Sequence, residues 1–593
     1  MTVTERLNAL RALMKEKGVD AYLVPTDDFH ASEYVGDYFK CRKYITGFTG
    51  SAGTAVITMD MAGLWTDGRY FIQAAQQLEG TTVALFKMGE PEVPTIHEFL
   101  KEKLTEGMCL GFDGRTVSAA EAEELKELLS DKKIRFSVEE DLIGEIWTER
   151  PALSCEPVME LDVKWAGESR ADKCARIRRK MQEKQADVFV LTSLDDIAWL
   201  LNLRGNDIHC CPVVLSYLMM TEEEVFLFAN EKAFGQEVLE NLKKDGVTLK
   251  PYNDIYTCVH TIPAGKTVIL SRAGANSRLV NSLPAEIKIL DEENLTLLPK
   301  AIKNPTEVEN ERIAHIKDGV AVTKFIYWLK QNVGKMEITE LSAAEHLFQL
   351  RKEQENFLDN SFDPIVSYGG HAAICHYSPS PETDIPLEPK GLALCDTGGH
   401  YLEGSTDITR TIALGELTEK ERKYFTLVLK GHLHLSDAKF RYGCCGQNLD
   451  YIAREPLWRL GEDYNHGTGH GVGYLLNVHE GPNSFRWKSS SAVLEEGMIT
   501  SNEPGYYVEN EFGIRHENLI VCKKAEKTAF GQFMCFENLT MVPFDLDAID
   551  PELLDTYEKG LLNSYHAEVY EKISPYLTEE EKNWLKEYTR AIR

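Results

Sequence analysis

Apolar residues recur in two rhythms along the chain, and the places where the rhythm changes mark its elements. The opening "VTERLNALRALMKEKG" repeats apolar positions every three or four residues, which predicts a helix, and "DAYLVP" follows as a short strand. Next, "ITGFTGSAGTAVITMDMAGLWTDGRYF" alternates β-prone residues with Gly and Asp turns. A second stretch repeats this order with different residues. The basic helix "SRADKCARIRRKMQEK" leads into "ADVFVLTSLDDIAWLLNLRG" and then "CPVVLSYLMMTEEEVFLF". Helix, strand, acidic turn, a segment ending in Gly and a hairpin recur in both, so the pattern predicts a duplicated α/β unit.

From "KNPTEVENERIAHIKDGVAVTKFIYWLKQNV" onward the pattern differs. Pro305, with a capping box of Thr306 and Glu309, predicts the start of a long amphipathic helix. Further helices are expected near 339–355, 418–440 and 448–460, with strands near 392–396, 405–414, 498–503 and 513–521. Helices mixed with antiparallel hairpins make this an α+β region, and residues 545–593 read as helical and polar. A chain of 593 residues exceeds the ~250–300 residues one core supports, so several domains are expected. The boundaries fall at 1–150, 151–302 and 303–593.

Composition narrows the function by exclusion. A hydrophobic content of 43% and a charged content of 27% describe an ordinary globular protein. The net charge of −29 argues against nucleic acid or an anionic membrane as partner. No run approaches the ~18 apolar residues of a membrane span, and the N-terminal helix, broken by charges, is no signal peptide. Thirteen scattered cysteines without a CxxC fit a reducing cytoplasm.

Candidate chemistry gathers in the third region. "HGTGHGVGYLLNVHEGP", residues 466–482, sets three histidines on a backbone with five glycines. Histidine ligates metals and carries protons near neutral pH, and glycine lets the backbone pass close to a ligand. In "LALCDTGGHYLEGSTDITRTIAL", Asp396 and Asp407 are symmetric about Tyr401 and Leu402. A hairpin there would set them opposite, Cβ atoms about 5 Å apart. Taken alone, both could be turn residues beside Gly398, Gly399 and Gly404. In "MITSNEPGYYVENEFGIRHENLIV", Glu503 and Glu517 are symmetric about Asn510, and an acid inside "GIRHENLIV" is disfavoured for a strand. Two hairpins, each offering two carboxylates, with one imidazole, form a hard ligand set whose charge balances two divalent cations. No EF-hand loop is present, and structural zinc would need thiolates or more histidines. A two-metal hydrolytic centre fits, with Mn²⁺ or another oxygen-tolerant ion preferred.

The order Asp396, Asp407, His470, Glu503, Glu517 resembles the five-ligand signature of the pita-bread metallopeptidases. "CRKYITGFTGSAGTAVIT", "WTDGRYF", "DIAWLLNLRG", "HIKDGVA", "HYSP", "NHGTGHGVG", "NVHEGP" and "FENLTMVP" extend the likeness over essentially the whole chain, to the long three-domain cytosolic aminopeptidase P type. The resemblance implies two creatinase-like α/β domains followed by a pita-bread catalytic domain. It also implies hydrolysis of an N-terminal Xaa-Pro bond by a hydroxide bridging two metal ions, and a homodimer. Asp396, Asp407, His470, Glu503 and Glu517 are then the metal ligands, with Asp407 and Glu517 touching both ions most directly. Glu503 doubles as the proton shuttle, and His376 and His479 bind the scissile carbonyl and stabilise the oxyanion. On the substrate-binding side, His466 lines the proline pocket, Arg515 orients ligand carboxylates, and Glu33 reaches in from the N-terminal cover. His432, His434, Cys444 and Cys445 match no such site and are read as helix-surface or packing residues. Two departures stand out. His516 lies where relatives commonly carry an apolar or small residue, and Gly370–His371 falls in a variable stretch.

Three rival readings remain. A prolidase shares the ligand set but resembles only the last two domains. A catalytically dead binding module would have lost ligands that are all retained here. Creatinase-like hydrolysis without metal would not need four carboxylates.

Overall fold

The strand Ala21–Pro25 is apolar throughout and buried over its first four residues, which requires layers on both of its faces. It lies inside a six-stranded sheet with Thr54–Thr58, Ala62–Thr66, Ala84–Lys87, Cys109–Gly111 and Arg135–Ser137. Counted along the chain, the spatial order is fourth, third, second, first, fifth, sixth. The second sheet, built from Val188–Leu191, Ser216–Thr221, Val225–Ala229, Val247–Pro251, Thr267–Leu270 and Lys288–Asp291, repeats that order. It also repeats the directions: the first strand runs antiparallel to the second and parallel to the fifth in both sheets. The duplication read in the sequence is therefore a duplicated topology.

The computed structural model describes residues 1–374, 377, 379–489 and 492–593. The chain divides into two compact units, Met1–Leu161 with Glu168–Thr296, and Asp162–Gly167 with Leu297–Arg593. Both six-stranded sheets belong to the first. Within it His30 is buried, one ring nitrogen 3.0 Å from the Thr192 carbonyl and the other 2.6 Å from the Tyr252 hydroxyl.

The second unit opens on the expected long helix, Pro305–Asn332, but its cap is not the expected one. Asn304 caps it, accepting from the Thr306 and Glu307 amides while Glu307 accepts from the Asn304 amide. Pro305 fits the first helical position, where no amide proton is needed, so Thr306 already lies inside the helix and cannot cap it. Helices follow at Glu340–Lys352, Glu419–Ser436 and Gly446–Trp458. Leu392–Thr397 is the middle strand of a three-stranded sheet, between Ile365–Tyr368 and Ile408–Ala413. A six-stranded sheet runs in the order Phe440–Arg441, Gly531–Asn538, Asn518–Thr528, Ile499–Asn502, Gly469–Gly471, Glu480–Phe485. The C-terminal helices Thr556–Ile573 and Glu579–Tyr588 are less polar in effect than their composition suggests, since Leu562, Tyr565, Val569, Ile573, Leu585 and Tyr588 are all buried.

Arg410 ties these pieces together. It is buried with no carboxylate partner among the described residues, and its guanidinium donates to the carbonyls of Thr409, Glu517, Val542 and Pro543 and to the Asn518 amide oxygen and Tyr565 hydroxyl. His432 and His516 pack against Phe544 beside it, ring centroids 5.0 and 5.5 Å away. No helix among the described residues is long and apolar enough to cross a membrane.

Helices Glu419–Ser436 and Gly446–Trp458 touch closely at Gly431, where an added Cβ would lie 2.1 Å from the Ala453 carbonyl oxygen. Gly431→Ala should therefore cost about 1–3 kcal/mol, read as a lower thermal unfolding midpoint. Gly560, exposed within its helix with nothing within 4 Å of an added Cβ, is the control. Gly560→Ala should be neutral or raise stability by up to about 1 kcal/mol.

Candidate metal centre

Two hairpins deliver four carboxylates, and register decides where each one points. In the first, Asp396 pairs with Thr409, not Asp407. The turn centres on Leu402 and Glu403, because His400 pairs with Ser405 and Tyr401 with Gly404. The symmetry about Tyr401 and Leu402 was thus off by one residue, and opposition shifts by two. Gly404 is part of the reason: its φ is +142°, and an added Cβ would sit 2.3 Å from the Glu311 carboxyl carbon. Asp396 and Asp407 become diagonal neighbours on one face, still within reach of a shared ligand. In the second hairpin the symmetry about Asn510 holds. Asn502 pairs with Asn518 and Gly505 with Arg515, leaving Glu503 and Glu517 facing each other in the gap between the sheet and the outer ribbon.

His470 joins them from the short strand Gly469–Gly471. Its amide donates to Ser501 Oγ at 2.9 Å, and Nδ1 lies 2.9 Å from the Gly471 carbonyl, so Nδ1 carries the proton. Nε2 faces the acids, 3.5 Å from Asp407 Oδ2 and 3.4 Å from Glu503 Oε1. One donor atom each from Asp407, His470 and Glu517 lie within 4.8 Å of one another. Glu517 Oε2 accepts from Thr409 Oγ1 at 2.7 Å, and Glu503 Oε1 from Ser501 Oγ at 3.1 Å. Asp396 is held by the guanidinium of Arg515, while its buried Oδ1 accepts no hydrogen bond from any described residue.

The electrostatics are those of a cluster lacking its counter-charge. Burial, with the charges of Asp396 and Glu503, pushes the Asp407 carboxyl well above its usual range. Glu517 is raised likewise, by burial and then by Asp407, Glu503 and Asp396. Burial, opposed by Arg515 and reinforced by Asp396, brings Glu503 up to about 7. One arginine does not neutralise four acids. An orphaned Asp396 oxygen, an imidazole nitrogen facing Asp407 and Glu503, and acids that resist ionisation all fit a site for divalent cations.

The remaining predicted residues fall around this cluster. His479 is half-buried, its ring 4.3 Å from that of His470 in edge-to-face contact. His466 directs Nδ1 to the Gly467 carbonyl at 2.7 Å and Nε2 to the Tyr507 hydroxyl at 2.9 Å. Arg515 also donates to Tyr507 at 2.7 Å, so Tyr507 links the two. His376 lies outside the described residues. Glu33 belongs to the first unit, in an exposed turn. His516, in the break between the strands Phe512–Arg515 and Asn518–Thr528, is fully buried against Phe425, and burial lowers it to about 3. His371 instead contacts both oxygens of Glu340, at 3.0 and 3.1 Å. His432 is core, His434 bonds Glu558 at 3.0 Å, and Cys444 and Cys445 are partly buried, with Cys445 capping a helix.

Sequence reasoning missed the supports. Tyr507 gave no signal beyond lying four residues after Glu503. Glu480, next to His479, is buried between Lys300, at 3.1 Å, and Lys303. Lys300 and Lys303 lie one helical turn apart in sequence, a spacing that marks a shared face, but their partner is too distant in sequence to be inferred from it.

Models of the creatinase/prolidase N-terminal domain match residues 6–140 and 149–307, that of metallopeptidase family M24 matches 309–524, and that of the C-terminal region of peptidase M24 matches 532–592. The chain is 40% identical to a probable Xaa-Pro aminopeptidase P of Paracoccidioides brasiliensis (strain Pb03), with 99% of each chain covered. Its structure is similar to that of X-prolyl aminopeptidase from Caenorhabditis elegans, described as a cytosolic enzyme with a di-nuclear active site: TM-score 0.94, 34% identity, all of both chains covered. A recombinant prolidase from Thermococcus sibiricus shares the fold over 64% of this chain and 99% of its own, at a TM-score of 0.51 and 21% identity.

The raised carboxylates set a pH dependence. A carboxyl near 7 when folded and near 4.5 when unfolded keeps its proton preferentially in the folded state. Without metal its contribution to stability is full below about 4.5 and lost as pH rises through 7. Chelated protein should therefore lose thermal midpoint between pH 5.5 and pH 8, and protein loaded with Mn²⁺ should lose much less. A gap between the two that does not widen with pH would mean that these carboxylates are not the metal site.

Proposed function

The chain belongs to the Xaa-Pro aminopeptidases of metallopeptidase family M24, and on that footing we propose how its residues perform the hydrolysis. The observation that carries the reading is the convergence of Asp407, His470 and Glu517 within 4.8 Å, beside Glu503 and the orphaned oxygen of Asp396. Asp396, Asp407, His470, Glu503 and Glu517 would hold two divalent ions, and the oxygen-rich set favours Mn²⁺. When bound, such a pair supplies a Lewis acid and a bridging hydroxide at neutral pH.

The protein's own groups do the rest. Glu503 takes the proton of the attacking water on its carboxylate and returns it to the departing proline nitrogen. His479, beside His470, donates to the scissile carbonyl as negative charge develops there, and His376 shares that task. His466, fixed by Gly467 and Tyr507, flanks the proline ring. Arg515 holds Asp396 in place and lowers the cost of gathering so many acids. Proline removes an amide proton and fixes φ, so a site shaped for its ring is what separates this reaction from general aminopeptidase chemistry.

We further propose a cytoplasmic homodimer with domains 1–150, 151–302 and 303–593, and Glu33 as a substrate-binding residue. We propose that it prefers Xaa-Pro-Yaa peptides to the dipeptides preferred by a prolidase.

Purified protein should release the first residue from Xaa-Pro-Yaa peptides faster than it splits matching Xaa-Pro dipeptides; the reverse order would make it a prolidase. Exchanging the second-position Pro for Ala should cut kcat/KM by roughly 10–100-fold. His479→Ala should lower kcat about 100- to 1,000-fold with a smaller change in KM, as steady-state kinetics on one tripeptide would show. A mutant that raised KM alone would place His479 in ground-state binding.

A further inference from the structure

One buried ion pair touches both sides of the hairpin that carries Asp396 and Asp407. Asp318 lies in the long helix Pro305–Asn332 and Arg351 in Glu340–Lys352, and neither is appreciably exposed. Arg351 donates to both oxygens of Asp318, from Nε to Oδ1 at 2.7 Å and from Nη2 to Oδ2 at 3.2 Å. The same carboxylate accepts from the Tyr401 hydroxyl at 3.0 Å and from Thr406 Oγ1 at 2.9 Å. Arg351 also donates from Nη1 to Thr397 Oγ1. Thr397 directly follows Asp396, and Thr406 directly precedes Asp407. Thr406 Oγ1 in turn accepts from the Gly399 amide at 2.9 Å, which closes the hairpin across its base.

We propose that the Asp318–Arg351 pair is a positioning clamp that sets the separation of the two aspartates, and with it the affinity of the ion they share. The proposal rests on the two-metal reading given above. Among the described residues neither bonds the ligand cluster; the pair reaches the hairpin through Thr397, Tyr401 and Thr406, and Arg351 also contacts Asn360 Oδ1 at 3.5 Å. Such a hairpin needs outside support. Asp396 and Asp407 are diagonal and repel each other, and the turn between them holds glycines at 398, 399 and 404, which give it little stiffness. An ion pair with every oxygen occupied, anchored on two helices, supplies what the strands lack. Burial alone would raise Asp318, yet Arg351, Thr406 and Tyr401 together hold it below the usual carboxylate range, so it stays charged. Outer-shell partners of metal ligands typically tune affinity 10- to 100-fold, roughly the size expected here.

The test is Mn²⁺ binding by calorimetry and elemental analysis, with the exchange-coupled electron paramagnetic resonance signal of the Mn²⁺ pair as a second readout. Asp318→Asn and Arg351→Lys should weaken one of the two Mn²⁺ equivalents by roughly 10–100-fold and diminish the coupled signal, while excess Mn²⁺ restores kcat. Because a buried charge is altered, Thr406→Val and Tyr401→Phe accompany them, each removing a single bond to the same carboxylate. These should show the same loss to a smaller degree. Should both milder variants bind two ions with wild-type affinity and signal, the clamp is overturned, whatever their melting temperatures. A wild type that binds no pair of ions would instead overturn the two-metal reading.

Discussion

Four carboxylates drawn into one buried region repel one another, and an ordinary chain would let them part into water. Much of the second unit can be understood as what prevents that. Arg515 spends its charge on Asp396, Ser501 and Thr409 hydrogen-bond Glu503 and Glu517, and Arg410 donates to the Glu517 carbonyl and the Asn518 side chain. Behind His479, Glu480 is fixed by two buried lysines. The cost falls on the folded protein as carboxyls that resist ionisation. It is offset when divalent cations arrive, so the elements that hold the acids together are also those that prepare the site for metal.

Local pattern made a good part of this legible. The duplicated order of helix, strand and hairpin in the first 300 residues became two sheets with one topology, because each copy must bury the same kind of strand. Symmetry within "NEPGYYVENEFGIRHEN" located Glu503 opposite Glu517, since a hairpin centre fixes every pair around it. The same reasoning missed by one residue at Asp396. There the turn is set by contact between Gly404 and Glu311, whose sequence separation hides it. Pro305 does start the long helix, but the capping box is Asn304 with Glu307 and not Thr306 with Glu309, because Thr306 is already inside it.

What stayed hidden is mostly buried charge paired over long sequence distance. Asp318 with Arg351, Glu480 with Lys300 and Lys303, and Arg410 with Tyr565 each join residues from separate elements. Nothing in spacing or periodicity announces such a pair, because its physics is local only after folding. His516 shows the converse. It stands beside Glu517 in sequence, yet its ring packs into the core against Phe425 and Phe544.

Arg410 has a consequence for how the protein ends. A guanidinium sealed from water must have its protons received somewhere, and here Val542, Pro543 and Tyr565 receive three of them within one bond network that also includes Glu517. The segment around Val542 and Pro543, with Tyr565 of the helix Thr556–Ile573, thus acts as solvent for a cation lodged beside Glu517. A chain cut short before Tyr565 would lose more than a surface helix. It would leave a charge less well solvated next to the clustered carboxylates, so loss of that helix would register first as a disturbance in a part that looks distant from it, the candidate metal centre.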